Sequence, residues 1–122
     1  MKNIKFIRSV SHLPVNNLRV TLDYYRDRLG FNGECTIGEK DGGLQRDDLR
    51  LLFAEDPEFV KDMNNEKHRL PLVWFVENIE GILAEFKERD IKIEDGLRPH
   101  PYGLREFAFI DINGYYIRVA EK

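Results

Sequence analysis

Apolar positions along the chain change period several times, and each change marks an element. Ile4 to Val15 alternates and is rich in β-branched residues, which predicts a strand ending at Pro14-Val15. Asn17 then offers an N-cap, Leu18, Leu22, Tyr25 and Leu29 fall on one helical face, and Gly30 suits the left-handed residue that closes a helix. Beyond it Phe31 to Ile37, Gly43 to Arg46 and Leu49 to Ala54 read as three short strands, with Gly42-Gly43 supplying one turn. Asp56-Pro57 to Arg69 is polar and charged, with Phe59 and Met63 its few apolar residues, and reads as a linker with room for one helical turn.

The same order then returns. Leu70 to Val76 predicts a strand, Asn78 an N-cap, Ile79 to Arg89 a helix with Ile79, Ile82, Leu83 and Phe86 inward, and Ile91 to Leu97 a further strand. Arg105 to Asp111 and Tyr115 to Ala120 flank Asn113-Gly114, a strong signal for a two-residue hairpin. The halves also match residue by residue: 61 positions on, Val15, Asn17, Leu18, Leu22, Tyr25, Arg26, Asp27 and Arg28 fall on Val76, Asn78, Ile79, Leu83, Phe86, Lys87, Glu88 and Arg89. An ungapped self-match of this kind predicts one supersecondary unit built twice, with a seam or cleft between the copies. The expected class is α+β: two tandem βαβββ modules, about 4–55 and 70–121, joined by a linker at about 56–69 into a single domain. Leu72-Val73-Trp74-Phe75-Val76 is apolar throughout, so a partner chain or an apolar cavity is expected to cover the second face of that strand.

Composition narrows the partners. The chain has 122 residues, 42% of them hydrophobic, enough for one compact core. A formal net charge of -3 argues against nucleic acid, whose phosphates need a basic face, and leaves cationic ligands open. No apolar run is long enough to span a bilayer, and Met1-Lys2-Asn3-Ile4-Lys5 lacks the apolar stretch of a signal peptide, so a cytoplasmic location is expected. The lone Cys35 reads as a structural thiol rather than a nucleophile. Neither a nucleophile elbow around Ser9 and Ser11 nor a phosphate loop after Gly42-Gly43 is present, and no catalytic residue is assigned.

Two stretches carry a resemblance. Leu13-Pro14-Val15-Asn16-Asn17-Leu18 followed by Tyr24-Tyr25-Arg26-Asp27-Arg28-Leu29-Gly30-Phe31 is similar to the opening of the glyoxalase, bleomycin-resistance and extradiol-dioxygenase superfamily. Pro101-Tyr102-Gly103-Leu104-Arg105-Glu106-Phe107, then Asp111-Ile112-Asn113-Gly114, resembles its bleomycin-resistance branch, as does Arg46-Asp47-Asp48-Leu49. The resemblance covers nearly the whole chain apart from the linker. It implies paired βαβββ modules forming a cupped mixed sheet with helices on the outer face, commonly in a homodimer. Enzymes of the superfamily hold a divalent metal with His and Glu, and the positions matching those ligands here are Val10, Pro71 and Arg118. Aliphatic, imino and guanidinium groups do not ligate a metal, so the usual metal site is absent and no cofactor is expected.

Strand parity orders the remaining candidates, since successive residues point to opposite faces. Arg8, Val10, His12, Pro14, Val73, Phe75, Glu106, Ala108, Ile110, Tyr116 and Arg118 are expected toward the cavity. Leu13, Val15, Leu72, Trp74, Val76, Phe107, Phe109, Ile117 and Val119 are expected in the core. Glu106 and Arg118 share a face on adjacent strands, which suits either an ion pair or the binding of a ligand's polar end. Tyr102 stands where the bleomycin-resistance branch carries a loop Trp that stacks on the drug, while the position of the partner aromatic is Asp41. Glu39, Asp41, Asp47 and Asp48 make the first unit's hairpins acidic.

The candidate ligand-binding set is therefore Tyr102, Glu106, Phe75, His12, Arg118 and Tyr116. The expected function is metal-independent sequestration of an amphipathic, aromatic or cationic small molecule in a dimer cleft. The alternative is a metal-dependent lyase or dioxygenase with a relocated site built from His12, Glu106 and either His68 or His100.

Overall fold

The computed structural model describes residues 3–122; Met1 and Lys2 of the stretch considered as a leader lie outside them. Eight strands and three helices follow in the order β1 (Ser11–Val15), α1 (Leu18–Asp27), β2 (Asn32–Ile37), β3 (Asp41–Arg46), β4 (Leu49–Glu55), α2 (Pro57–Met63), β5 (Pro71–Val76), α3 (Ile79–Glu88), β6 (Ile93–Pro99), β7 (Arg105–Ile110) and β8 (Tyr116–Glu121). They make two four-stranded mixed sheets, β1-β4-β3-β2 and β5-β8-β7-β6, with the same topology. In each, the first strand runs parallel to the last and the other pairings are antiparallel. The duplicated βαβββ unit is thus present in full.

Local chemistry explains the helices. Asn17 accepts the Val20 N–H and Asn78 accepts the Gly81 N–H, so the repeated asparagine caps both α1 and α3. At the far end of α1, Gly30 at φ 77 lets the Phe31 N–H return to the Tyr25 carbonyl. The second unit does the same one residue sooner, with Asp90 at φ 59 and the Ile91 N–H on the Phe86 carbonyl.

The two units share one core. Leu13, Val15, Leu22, Tyr25, Trp74, Phe86, Phe107, Phe109, Ile117 and Val119 are all buried in it, with Leu72 and Val76 partly buried against it. Trp74 packs edge-on between Tyr25 of the first unit and Phe109 of the second, with centroids 6.2 and 5.8 Å away. The seam is stitched reciprocally. The β3–β4 turn sends Arg46 across to Glu85 on α3 at 2.6 Å, and the β7–β8 turn sends Asp111 to the Tyr25 hydroxyl on α1 at 2.5 Å. Arg28 Nε also donates to the carbonyl of Arg89, its own counterpart in the repeat, at 2.6 Å.

Several expectations need correction. Residues 3–10 join no sheet; the strand begins at Ser11, opposite Leu51, and β4, which starts at Leu49, offers nothing opposite the residues before Ser9. Ile4, Phe6 and Ile7 are consequently exposed. Gly42 and Gly43 lie inside β3 rather than in a turn, which falls instead at residues 38–40. A Cβ on Gly43 would sit 2.6 Å from the Leu51 carbonyl oxygen, so glycine here permits close strand approach.

The linker holds α2, a seven-residue helix. Asp56 caps it, Pro57 opens it, and Val60 anchors it in the interior. The hairpin at Asn113-Gly114 is not a two-residue one. Gly114 N–H donates to the Asp111 carbonyl and only Gly114 has positive φ, giving a three-residue loop whose glycine takes the left-handed position. Cys35 is exposed and accepts a 3.5 Å hydrogen bond from Arg50, so it is not a packed thiol.

Candidate functional site

The face of the second sheet opposite the core is laid out by its register. Phe75, Ala120, Glu106 and Arg98 form one cross-strand row, and Val73, Arg118, Ala108 and Asp95 form the next. Ala120 and Ala108 are small, which leaves a depression between longer neighbours. Arg118 stands opposite Ala108 and diagonal to Glu106, within reach of a long side chain.

A closed polar cluster forms there. Arg118 Nε donates to Glu106 Oε1 at 2.9 Å, and Arg118 Nη2 donates to Glu106 Oε2 at 3.1 Å and to the Tyr102 hydroxyl oxygen at 2.5 Å. The Tyr102 hydroxyl itself donates to Glu106 Oε2. His100 adds its Nδ1 3.5 Å from Glu106 Oε1, and its ring stacks on Tyr102 with centroids 5.6 Å apart. Glu106 is only 3% exposed. Burial alone would push its carboxyl up; the hydrogen bonds from Arg118 and Tyr102 outweigh burial and hold it below the usual carboxylate range. Burial, with the Glu106 charge, pushes the Tyr102 phenol up, so both groups keep these protonation states at neutral pH.

A cavity of about 330 Å³ opens beside the cluster between Val73, Phe75, Tyr102, Leu104, Glu106 and Arg118. Its wall is apolar and its floor is the ion pair. Phe75 is 64% exposed and Tyr102 is 53% exposed, so both offer ring surface to a ligand. A larger cavity of about 430 Å³ lies on the seam, over Phe31, Trp74 and Phe86, with Asp47 and Lys122 among its lining residues. Its floor is core side chains. Polar groups of Glu106, Arg118 and Tyr102 converge on the smaller cavity, as a specific binding site requires.

Of the six candidate residues, Tyr102, Glu106, Phe75 and Arg118 come together in this cavity. Tyr116 faces the same side one row further along, beside Pro71 and Ile110. His12 does not join them: it lies on the first sheet, its Nε2 3.8 Å from Asp41, with both side chains more than half exposed. His68 is held in the linker against the Asp62 carbonyl. His100, placed by the sequence only in a loop, is a member of the cluster; the Tyr102-to-Glu106 segment that folds over the sheet brings it there.

Of Val10, Pro71 and Arg118, the positions that the resemblance sets against the superfamily's metal ligands, Arg118 is committed to Glu106. These groups do not fit a metal. Among the described residues no three His, Cys, Asp or Glu side chains gather as metal ligands would.

Paired βαβββ units with this topology define a known architecture. The chain belongs to the Glyoxalase/Bleomycin resistance protein/Dioxygenase superfamily, whose model matches residues 7–119. No curated protein sequence matches it significantly. The fold is similar to that of a bleomycin resistance determinant encoded on the transposon Tn5, with 20% identity, 96% of this chain and 98% of that one covered, and a TM-score of 0.80. It is similar to that of a bleomycin-binding protein from bleomycin-producing Streptomyces verticillus, solved with copper(II)-bleomycin, at 19% identity, 98% and 99% coverage and a TM-score of 0.79. Lactoylglutathione lyase from Agrobacterium tumefaciens shares it at 15% identity, 98% and 96% coverage and a TM-score of 0.74.

Proposed function

We propose that this protein binds an amphipathic small molecule with a flat apolar body on the open face of its second sheet, and sequesters it without a metal and without breaking a bond. The observation that carries the reading is the cluster in which Arg118 and Tyr102 hold the buried Glu106 at the floor of a cavity walled by Val73, Phe75 and Leu104. Such a floor fixes orientation, and such walls supply affinity. The bleomycin complexes among proteins of this fold support a binding role, without naming this chain's ligand.

A second copy of the chain completes the cleft in this reading. The cavity is open, and Val73 and Phe75 are exposed in the single chain, whereas small ligands are usually buried over most of their surface. Ile37 stands exposed on the first sheet, a further apolar surface for such a contact. No helix is long and apolar enough to cross a membrane. A cytoplasmic location belongs to the same reading, and the free, exposed Cys35 suits a reducing compartment.

The competing reading is a metal-dependent lyase or dioxygenase with a relocated His and Glu site. It needs His12 and Glu106 as common ligands, yet the two lie on different sheets and bond to different partners. A thermal-shift screen on chelator-dialysed protein, paired with metal analysis, separates the two. A ligand at 100-fold above its Kd is expected to stabilise the protein by about 2.7 kcal/mol. Stoichiometric metal that survives dialysis and disappears in His12→Ala contradicts sequestration without a metal.

A further inference from the structure

The sign of the charge on the ligand is written in the bonding of the cavity floor. Three donor contacts from Arg118 and one from Tyr102 tie the cluster shut, and three of these four end on Glu106. Both carboxylate oxygens are engaged, with His100 behind Oε1. The carboxylate side chain is 4% exposed, so a ligand cannot reach it without first displacing Arg118.

Arg118 is in the opposite position. Its side chain is 32% exposed and lines the cavity. Nε and Nη2 are used within the cluster, while Nη1, with its two N–H groups, has no protein acceptor among the described residues. The other acid in the same two rows, Asp95, is answered by Arg98 through bonds of 3.0 and 3.2 Å. A cation entering the cavity would meet a guanidinium before any free carboxylate. An anion or strong acceptor would meet an unfilled donor edge suited to a carboxylate.

We infer that the site takes an aromatic acid: a flat apolar body against Phe75, Val73 and Leu104, with its carboxylate on Arg118 Nη1. This rests on the binding role proposed above and settles a choice that role leaves open, against a cationic ligand. Glu106 then acts as a positioning residue that fixes the guanidinium, not as the anchor for the ligand.

Calorimetric titration of the full chain with naphthoate, naphthamide and naphthylmethylammonium tests it, because the three share a ring and differ in charge. Naphthoate is expected to bind about tenfold more tightly than the amide, as a charge-assisted bond predicts, and the ammonium compound most weakly. In Arg118→Gln that preference is expected to vanish. Since the single change leaves Glu106 buried without its partner, the double variant Arg118→Gln with Glu106→Gln, which removes both charges together, is titrated as well. Ammonium binding as tight as naphthoate overturns the inference and leaves the binding role standing. A naphthoate preference that survives both variants overturns the assignment to Arg118. Failure of all three compounds to bind overturns the binding role and the inference together.

Discussion

Asp111 offers a direct test of how the two halves are held together. Its Oδ1 accepts the Asn113 and Tyr115 N–H groups at 2.9 Å, and its Oδ2 accepts the Tyr25 hydroxyl of the other unit at 2.5 Å. Burial pushes the carboxyl from an ordinary 3.8 up to about 6, although each of these donors pulls the other way. The folded protein therefore holds a proton at pH values where the unfolded chain has released it. Its contribution is fully present below pH 3.8 and is lost as pH rises through about 6. One pH unit of displacement is worth about 1.4 kcal/mol, so the gap amounts to about 3 kcal/mol. Asp111→Asn keeps the acceptor for the two backbone donors and lets the Tyr25 hydroxyl turn to accept, but it cannot ionise. Urea unfolding of both proteins, followed by the fluorescence of buried Trp74, is the assay. Stability of Asp111→Asn relative to the parent should rise by about 3 kcal/mol from below pH 3.8 to above pH 6. The difference cancels the opposite slope from carboxylates held low, such as Glu34, Glu80 and Asp95. A difference that stays flat or shrinks over this range refutes the reasoning.

Further substitutions test the seam and the sheet. Gly43→Ala should cost about 1–3 kcal/mol in urea unfolding, because its Cβ would press on the Leu51 carbonyl oxygen and on Leu52 Cδ2 at 2.6 and 2.7 Å. Tyr115→Phe deletes the hydroxyl that donates to the Pro14 carbonyl at 2.6 Å and should cost about 1 kcal/mol by the same measurement. Phe75→Ala should change stability by less than about 0.5 kcal/mol, since the ring is 64% exposed and outside the core.

Much of the fold is legible in the sequence because the helices carry their own punctuation. Asn17, Asn78 and Gly30 do in the structure what their residue types favour, and strand alternation sorts Phe107, Phe109, Ile117 and Val119 from Glu106 and Arg118 correctly. What local pattern cannot carry is the presence of a partner. Ile4 to Val10 alternates as a strand does, yet among the described residues none pairs with it and β4 begins too late to reach most of it, so the pattern stands without a sheet. Gly42-Gly43 reads as a turn because glycine permits turns and close approach alike, and only the packing of β2, β3 and β4 chooses between them. Asp56 and Pro57 cap and open α2, while the polar run that follows carries too few apolar positions to show helical periodicity.

The site divides along the same line. Glu106, Arg118 and Phe75 share a face by parity alone, and the ion pair follows from adjacent strands. His12 has the expected facing on its own strand, but which sheet looks at which cavity is a tertiary matter, and it stands beside Asp41 instead. His100 carries no periodic signal. Its place depends on the loop from His100 to Leu104, where the Gly103 N–H returns to the His100 carbonyl and folds Tyr102 over the sheet.

The central claim, metal-free binding on the open face of the second sheet, is met most directly by calorimetric titration of chelator-treated protein with a compound found in the thermal-shift screen, comparing the parent chain with Phe75→Ala. Binding without added metal at one molecule per subunit, weakened about tenfold or more by Phe75→Ala, is the predicted result. Binding that appears only when a divalent metal is restored, or that is untouched by Phe75→Ala, contradicts it.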